Sequence, residues 1–530
     1  MSRGAIWFER AIRVNGASKV RRLILGRWRW WFGGGAATYA TGLVLLRGAP
    51  TTSADAGVFL SVAGRLLRGD RLYVDVYDNK GPLFYYSYVG ALGAFGWRGP
   101  FLLDIVWLAI AAAFSALFVR SIGGSRLLAA VAFFIYPLIL SGTWYYAGYS
   151  RLAVFSIVPL IGWLWLRRNF AWAGVVVCAG LLFDLGLGLI LVSVPLALLA
   201  LGVPPGKRLL HAGRAAVGLV AAGALAAVSL ALAGELGGYL HTTAGNFTYA
   251  NNVLAYTGRR GGITGHLHVV QRLIPHFGLV LAAFLVAGAI AVYVLVRAWR
   301  ARSLGASEAI LAAVFLSTSL AVLVTLALTA AWGQHNQAIA LPATWLVLLV
   351  LARLELSRPL AIKATAIVAV IAVAPLLLGG TIGGTLTLTK AQGLSLSSWS
   401  APPLNTTAQA LNQVRRTQMP ALTQVTYAHL GGNDEEAHAV FTDDEFKLAC
   451  PAFHQYAFTA DLNGVLDCIR QKRPRLVFVT PRFSPLGGIT RWNDFIGQGR
   501  RMLRNRYQKV LVLPTSGGNV EIWKLRPVMG

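Results

Sequence analysis

Long apolar runs leave this chain little freedom of fold. Between residues 31 and 380 they recur, broken by short connectors rich in Arg and Lys or in Gly, Tyr, His and Asn. A helix needs about 20 apolar residues to cross a bilayer core of about 30 Å. Segments near 31–48, 101–120, 127–142, 151–166, 170–184, 187–203, 212–234, 277–297, 308–331, 337–352 and 359–380 come near that length. We read them as about eleven transmembrane helices in an all-α polytopic domain. Only 13% of the residues are charged, against about 25% in soluble domains. The formal net charge is +28. The basic residues concentrate between the spans, where they set topology, so no nucleic-acid partner is expected.

The basic residues fix the expected sides. Arg3, Arg10, Arg13, Lys19, Arg21, Arg22, Arg27 and Arg29 precede the first run, so residues 1–30 read as a cytoplasmic segment lying at the interface. The first connector, 49–99, then lies outside. Residues 82–96 are apolar but short for a crossing and read as an interfacial or re-entrant helix. Counting them as a crossing would place the basic connectors on the wrong side.

From about residue 386 the composition becomes polar and mixed in charge. β-like runs at Gln424–Tyr427, Arg475–Thr480, Lys509–Leu513 and Val520–Leu525 alternate with helix-like pieces near 404–416, 461–472 and 495–507. Residues 386–530 therefore read as a small extracytoplasmic α/β domain after a membrane domain at 31–385. Cys450 and Cys468 lie in it, and an oxidising compartment leaves both a disulfide and two free thiols open. Cys178 sits in an apolar run and reads as filler. No internal repeat of the kind common in transporters is visible.

The first outer loop holds most of the chemistry. Asp55, Asp70, Asp75, Asp78 and Lys80 fall within residues 52–88 of a chain with only 20 acids. Ionisable groups at the edge of a membrane domain are costly and mark function by default. An acid after the first span, an amphipathic helix ending in Arg68-Gly69, then Leu72-Tyr73, then Asp78-Asn79-Lys80-Gly81-Pro82-Leu83 and aromatics resembles the first outer loop of GT-C membrane glycosyltransferases. The likeness is to the family 39 kind, such as bacterial protein O-mannosyltransferases and the aminoarabinose transferase of lipid A. Those enzymes usually carry Pro-Pro where this chain has Gly81-Pro82.

The resemblance implies an inverting transfer of a sugar from a polyprenyl-phosphate donor to a cell-envelope glycan, lipid or protein, outside a bacterial plasma membrane. It implies that Asp55 is the base taking the acceptor proton, although Asp55 also suits a helix cap. Lys80 would stabilise the departing phosphate or be a snorkelling lysine. Asp78 would orient Lys80, hold a divalent metal or serve a turn. Tyr85, Tyr86 and Tyr88 would line the donor groove or form an interfacial belt. Trp144, Tyr145, Tyr146, Tyr149 and Arg151 follow the third span. Tyr146 could stack on a sugar and Arg151 meet phosphate, and no acid stands among them.

Asp184, in an apolar setting, is either a site residue or part of a helix hairpin. Asp104 reads as structural. The loop 235–275, with Glu235, His241, His266 and His268, reads as a lid. His335 would contact phosphate or sugar. No ligand spacing demands a metal or another cofactor, and a divalent ion stays possible at the acids. A transporter for lipid-linked sugars and a non-catalytic envelope assembly protein are the competing readings.

Overall fold

The computed structural model describes residues 32–44, 54–142 except 79, 150–244 except 204, 285–328 except 305, 338–356, parts of 414–431, then 446–451, 462–479 and 490–527 except 516 and 517. The basic N-terminal segment, the run at 359–380, most of the helix-like piece at 404–416, and Tyr146, His266, His268 and His335 lie outside these residues.

Among the described residues the apolar runs are helices. They are α1 (32–44), α2 (Ala54–Leu67), α3 (Pro82–Phe95), α4 (Gly99–Ser121), α5 (Arg126–Gly142), α6 (Ser150–Leu166) and α7 (Phe170–Phe183). They continue as α8 (Gly188–Gly202), α9 (Pro205–Leu232), α10 (236–244), α11 (285–300), α12 (Ser307–Leu328) and α13 (Ala340–Leu356). Among the described residues, stretches of α4, α9 and α12 are long and apolar enough to cross a membrane by themselves. α9 makes the membrane character plain, since only 11% of its apolar stretch is buried in protein. It exposes Leu209, Val217, Val220, Leu225 and Leu232, a face that water would not tolerate but lipid would.

α6 is the centre of the bundle. It is apolar all round and buried from Ser150 to Pro159, as a helix enclosed by others must be. α4 packs on it and on α5, while α12 packs on α8 and α13. α7 and α9 approach closely through small residues. A Cβ on Gly174 would sit 1.9 Å from the Ala215 carbonyl oxygen, and one on Gly218 would sit 1.9 Å from that of Ala171.

α3 starts at Pro82, whose missing N–H costs nothing in a first turn. Its 14 residues rise about 21 Å, short of the core thickness. Phe84, Tyr85 and Tyr88 of α3 enclose Phe59 of α2, with ring centroids 4.9, 6.3 and 6.3 Å away.

α2 departs from the sequence expectation. The pattern of residues 57–68, apolar at Val58, Phe59, Val62 and Leu66 and basic at Arg65 and Arg68, predicts a helix lying flat on the membrane with Arg65 on its polar face. Instead Val58 through Arg65 are all buried. The polar face is covered by the C-terminal domain: Arg65 pairs with Asp70 at 2.5 Å and reaches Tyr427. The helix also starts earlier than the apolar pattern suggested, so Asp55 falls in its first turn rather than before it.

The C-terminal domain is a five-stranded sheet, β1 (Val425–Leu430), β2 (Phe446–Leu448), β3 (Leu476–Val479), β4 (Tyr507–Thr515) and β5 (Gly518–Leu525), ordered β2-β1-β3-β5-β4. β2, β1 and β3 are parallel, while β5 and β4 join antiparallel. α14 (Leu462–Lys472) and α15 (Thr490–Arg506) complete the domain. The period of two sorts the strands into two faces. Val425, Tyr427, Leu476, Phe478, Val520 and Ile522 join the large cluster that includes the membrane helices. Ala428, Leu430, Val477, Val479 and Trp523 pack instead against Val465 and Ile469 of α14 and Phe495 and Leu503 of α15. The sheet therefore lies between the membrane domain and its own two helices. β2, only three residues long, was not visible in the sequence pattern.

Cys450, after β2, is bonded to Cys468 of α14, with Cα atoms 5.9 Å apart. The bridge closes a separation of 18 residues, so Cys450→Ser with Cys468→Ser is expected to cost about 3 kcal/mol. Thermal melting of the full chain with and without reductant checks it. A wild-type melt indifferent to reductant would contradict the prediction.

Candidate functional site

The site is built on the chain between α2 and α3. This segment is cross-tied rather than extended. Arg71 is paired with Asp75 at 3.0 Å, and their hydrogen bond holds the Asp75 carboxyl below its ordinary pKa. Asp75 thus serves the turn through Arg71. Tyr73 adopts a positive φ of 66° and donates its hydroxyl to the Lys80 carbonyl at 2.6 Å. Burial raises the Tyr73 pKa well above its usual value, keeping the hydroxyl a donor.

Glu235 anchors the other side. It is 2% exposed and accepts Leu72 N–H at 2.8 Å and the Tyr86 hydroxyl at 2.5 Å. By sequence alone it falls in the loop 235–275, which reads as a lid. Its isolation in an acid-poor chain, just after the span at 212–234, was the signal that could have separated it from that loop.

Asp78 is buried, and its Oδ1 accepts the Lys80 backbone N–H at 2.9 Å. Lys80 is therefore held by its N–H on Asp78 and by its carbonyl on Tyr73. The next residue, Gly81, lies directly on the end of α7. Its N–H donates to the Phe183 carbonyl at 3.3 Å, and a Cβ there would fall 2.0 Å from the Leu182 oxygen. Only glycine allows this approach. Gly81→Ala is expected to destabilise the protein by about 1–3 kcal/mol through overpacking, and so to lower its melting temperature. Gly90→Ala, inside α3 with nothing within 4 Å, should not lower it, since alanine favours a helix interior, and a Gly81→Ala melt as high as that of Gly90→Ala would contradict the contact.

Docking Gly81 on α7 brings Lys80 to Asp184. Asp184 ends α7 with extended backbone, and its Oδ1 accepts Gly186 N–H at 3.2 Å, which shapes the hairpin into α8. Its Oδ2 faces three groups: Lys80 Nζ at 3.8 Å, Arg151 Nε at 3.8 Å, and the Ser150 hydroxyl, which donates at 3.4 Å. One Asp184 oxygen thus serves the hairpin and the other the charge cluster. Lys80, Arg151 and Asp184 side chains are 13%, 10% and 13% exposed. Three distant stretches of sequence converge here with two cations on one carboxylate oxygen.

The aromatics divide. Tyr85 is fully buried beside Asp78 without a hydrogen bond of normal geometry, and burial, then Asp78, raises its pKa. Tyr86, 41% exposed, turns to Glu235. The two neighbours therefore do not share one groove wall. Tyr88 is buried near Asp104 of α4. Asp55 lies one helical turn before Phe59 in α2, about 6 Å along the helix axis at the backbone. Its side chain lies outside the described residues, as do Tyr146 and His335.

Among the described residues no three His, Cys, Asp or Glu side chains gather around one point. The two acids of the site are engaged, Asp78 with a backbone N–H and Asp184 with two cations. A dication on Asp184 would meet Lys80 Nζ and Arg151 Nε, each 3.8 Å from its Oδ2.

No family model and no curated protein matches the chain. Among solved structures it is similar to an archaeal oligosaccharyltransferase, AglB from Archaeoglobus fulgidus, in complex with an inhibitory peptide and a dolichol-phosphate. The TM-score is 0.49 and the identity 13%, over 94% of this chain and 74% of that one.

Proposed function

We propose that the chain is an integral membrane glycosyltransferase. It takes a sugar from a polyprenyl-phosphate donor and passes it to a hydroxyl of a cell-envelope glycan, lipid or protein. The active site and the sheet domain lie outside a bacterial plasma membrane, with the N-terminus inside. The observation that carries this reading is the convergence of Lys80 and Arg151 on Asp184. Two cations held on separate elements, Arg151 buried and Lys80 13% exposed, suit a receptor for a phosphate group.

Chemistry follows from that placement. Asp55 takes the proton of the acceptor hydroxyl as its oxygen bonds the anomeric carbon from the face opposite the phosphate. The bond from that carbon to the phosphate oxygen breaks, and the electron pair leaves with the polyprenyl phosphate. Lys80 and Arg151 meet the charge that grows on the phosphate. Because Asp78 and Tyr73 already hold the Lys80 backbone, little reorganisation is needed when the charge appears.

Membranes containing the protein should consume one donor from a panel of radiolabelled polyprenyl-phosphate sugars. Lys80→Met should slow transfer by about 10²–10³-fold while the protein remains inserted. Failure to consume any donor, or an unchanged rate in Lys80→Met, would overturn the reading.

A further inference from the structure

A second charged site lies in the C-terminal domain, on the far side of the sheet from the membrane domain. Residues of both α14 and α15 line an open groove of about 800 Å³ there. Arg470 and Arg473 line it from the end of α14, and Arg501 and Arg506 from α15. Gln498 and Asn505 stand between the arginines. All four arginines are exposed. Arg470 pairs with Asp467 at 2.6 Å. Arg473, Arg501 and Arg506 have no carboxylate partner among the described residues.

Four guanidinium groups around one groove exceed what two helix ends require, since the attraction of a helix C-terminus for cations fades within its last turn. Arg501 lies above the last turn of α15. Arg473 lies past the end of α14, with a φ of 48°. Pro474 follows it, and the Pro474 carbonyl accepts the buried Tyr507 hydroxyl at 3.0 Å, which fixes the turn that carries Arg473. Guanidinium forks recognise carboxylate and phosphate oxygens, while side-chain amides both donate to and accept from hydroxyls. The one aromatic residue lining the groove, Tyr507, is buried, so no platform for stacking bases is presented.

We propose that the groove between α14 and α15 binds an acidic glycan, a polymer bearing carboxylate or phosphate groups together with sugar hydroxyls. Its place on the sheet face opposite the membrane helices favours a polymer in solution over headgroups of the protein's own bilayer. The binding does not depend on the transferase reaction.

The test uses the full chain in a neutral detergent and fluorescent polyglucuronate as the probe. Wild type should bind it, with affinity falling as salt rises. Arg501→Glu with Arg506→Glu should weaken binding at least about tenfold, as expected for losing charged hydrogen bonds. Arg504→Glu, one charge reversal on the same helix but outside the groove, should change it little. Neutral dextran should not bind. A melt matching wild type shows that the double variant is folded, and if it does not match, the single variants Arg470→Gln and Arg473→Gln decide. An equal loss in Arg504→Glu, equal binding of dextran, or binding of phosphatidylglycerol vesicles without polyglucuronate would each overturn the proposal.

Discussion

Asp184→Ala is expected to destabilise the membrane domain by about 3–5 kcal/mol, the cost of leaving buried charges without their partner. Lys80 and Arg151 would remain in a site only 10–13% exposed with their shared carboxylate removed. Alanine also deletes the acceptor for Gly186 N–H that shapes the α7–α8 hairpin. Asp184→Asn separates the two losses. Its amide oxygen can still accept from Gly186, so it should melt between wild type and alanine, retaining about 1 kcal/mol for the local hydrogen bond. Thermal melting of the three proteins in one detergent reads both differences. If all three melt together, Asp184 does not hold the cations and the site loses its centre. A second substitution locates the stress: in an Asp184→Asn background, Lys80→Met should recover stability, because one of the two cations that faced the Asp184 carboxylate is gone.

Asp55→Asn is expected to reduce sugar transfer by about 10²–10⁴-fold, the contribution of a positioned base, with insertion and melting unchanged. A first-turn acid on α2 interacts favourably with the helix dipole, worth about 0.3–1 kcal/mol, too little to abolish folding. Losing the base and losing the fold are therefore distinguishable. The assay compares wild type and Asp55→Asn in membranes at equal expression, with the donor found from the panel. An inert but correctly folded variant identifies the proton acceptor. A variant as active as wild type returns Asp55 to a helix-end role and moves the transporter and assembly readings forward. Lys80→Met and Asp55→Asn should also differ in kind, since Lys80 meets the donor phosphate and Asp55 the acceptor hydroxyl. Weaker donor binding belongs to the first alone.

The apolar runs determined the helical character by themselves, because their length and composition leave a chain no soluble alternative. The strands β1, β3, β4 and β5 were legible from alternation, and the acid-rich stretch 52–88 pointed to the loop that builds the site. Local patterns carry this information because periodicity and composition act within a few residues. What only the tertiary structure decided is which charges meet. Arg151 and Asp184 lie 71 and 104 residues beyond Lys80 in the sequence, and only the seat of Gly81 on the end of α7 brings the three together. The burial of α2 and of Arg65 follows from a sheet face more than 350 residues further along the chain, which no amphipathic pattern within α2 can register. Glu235 shows the same limit: its sequence neighbours suggest a lid, while its partners, Leu72 and Tyr86, come from the first loop. Charge pairing between distant elements is a property of the packed bundle, and packing is where the sequence alone ceases to speak.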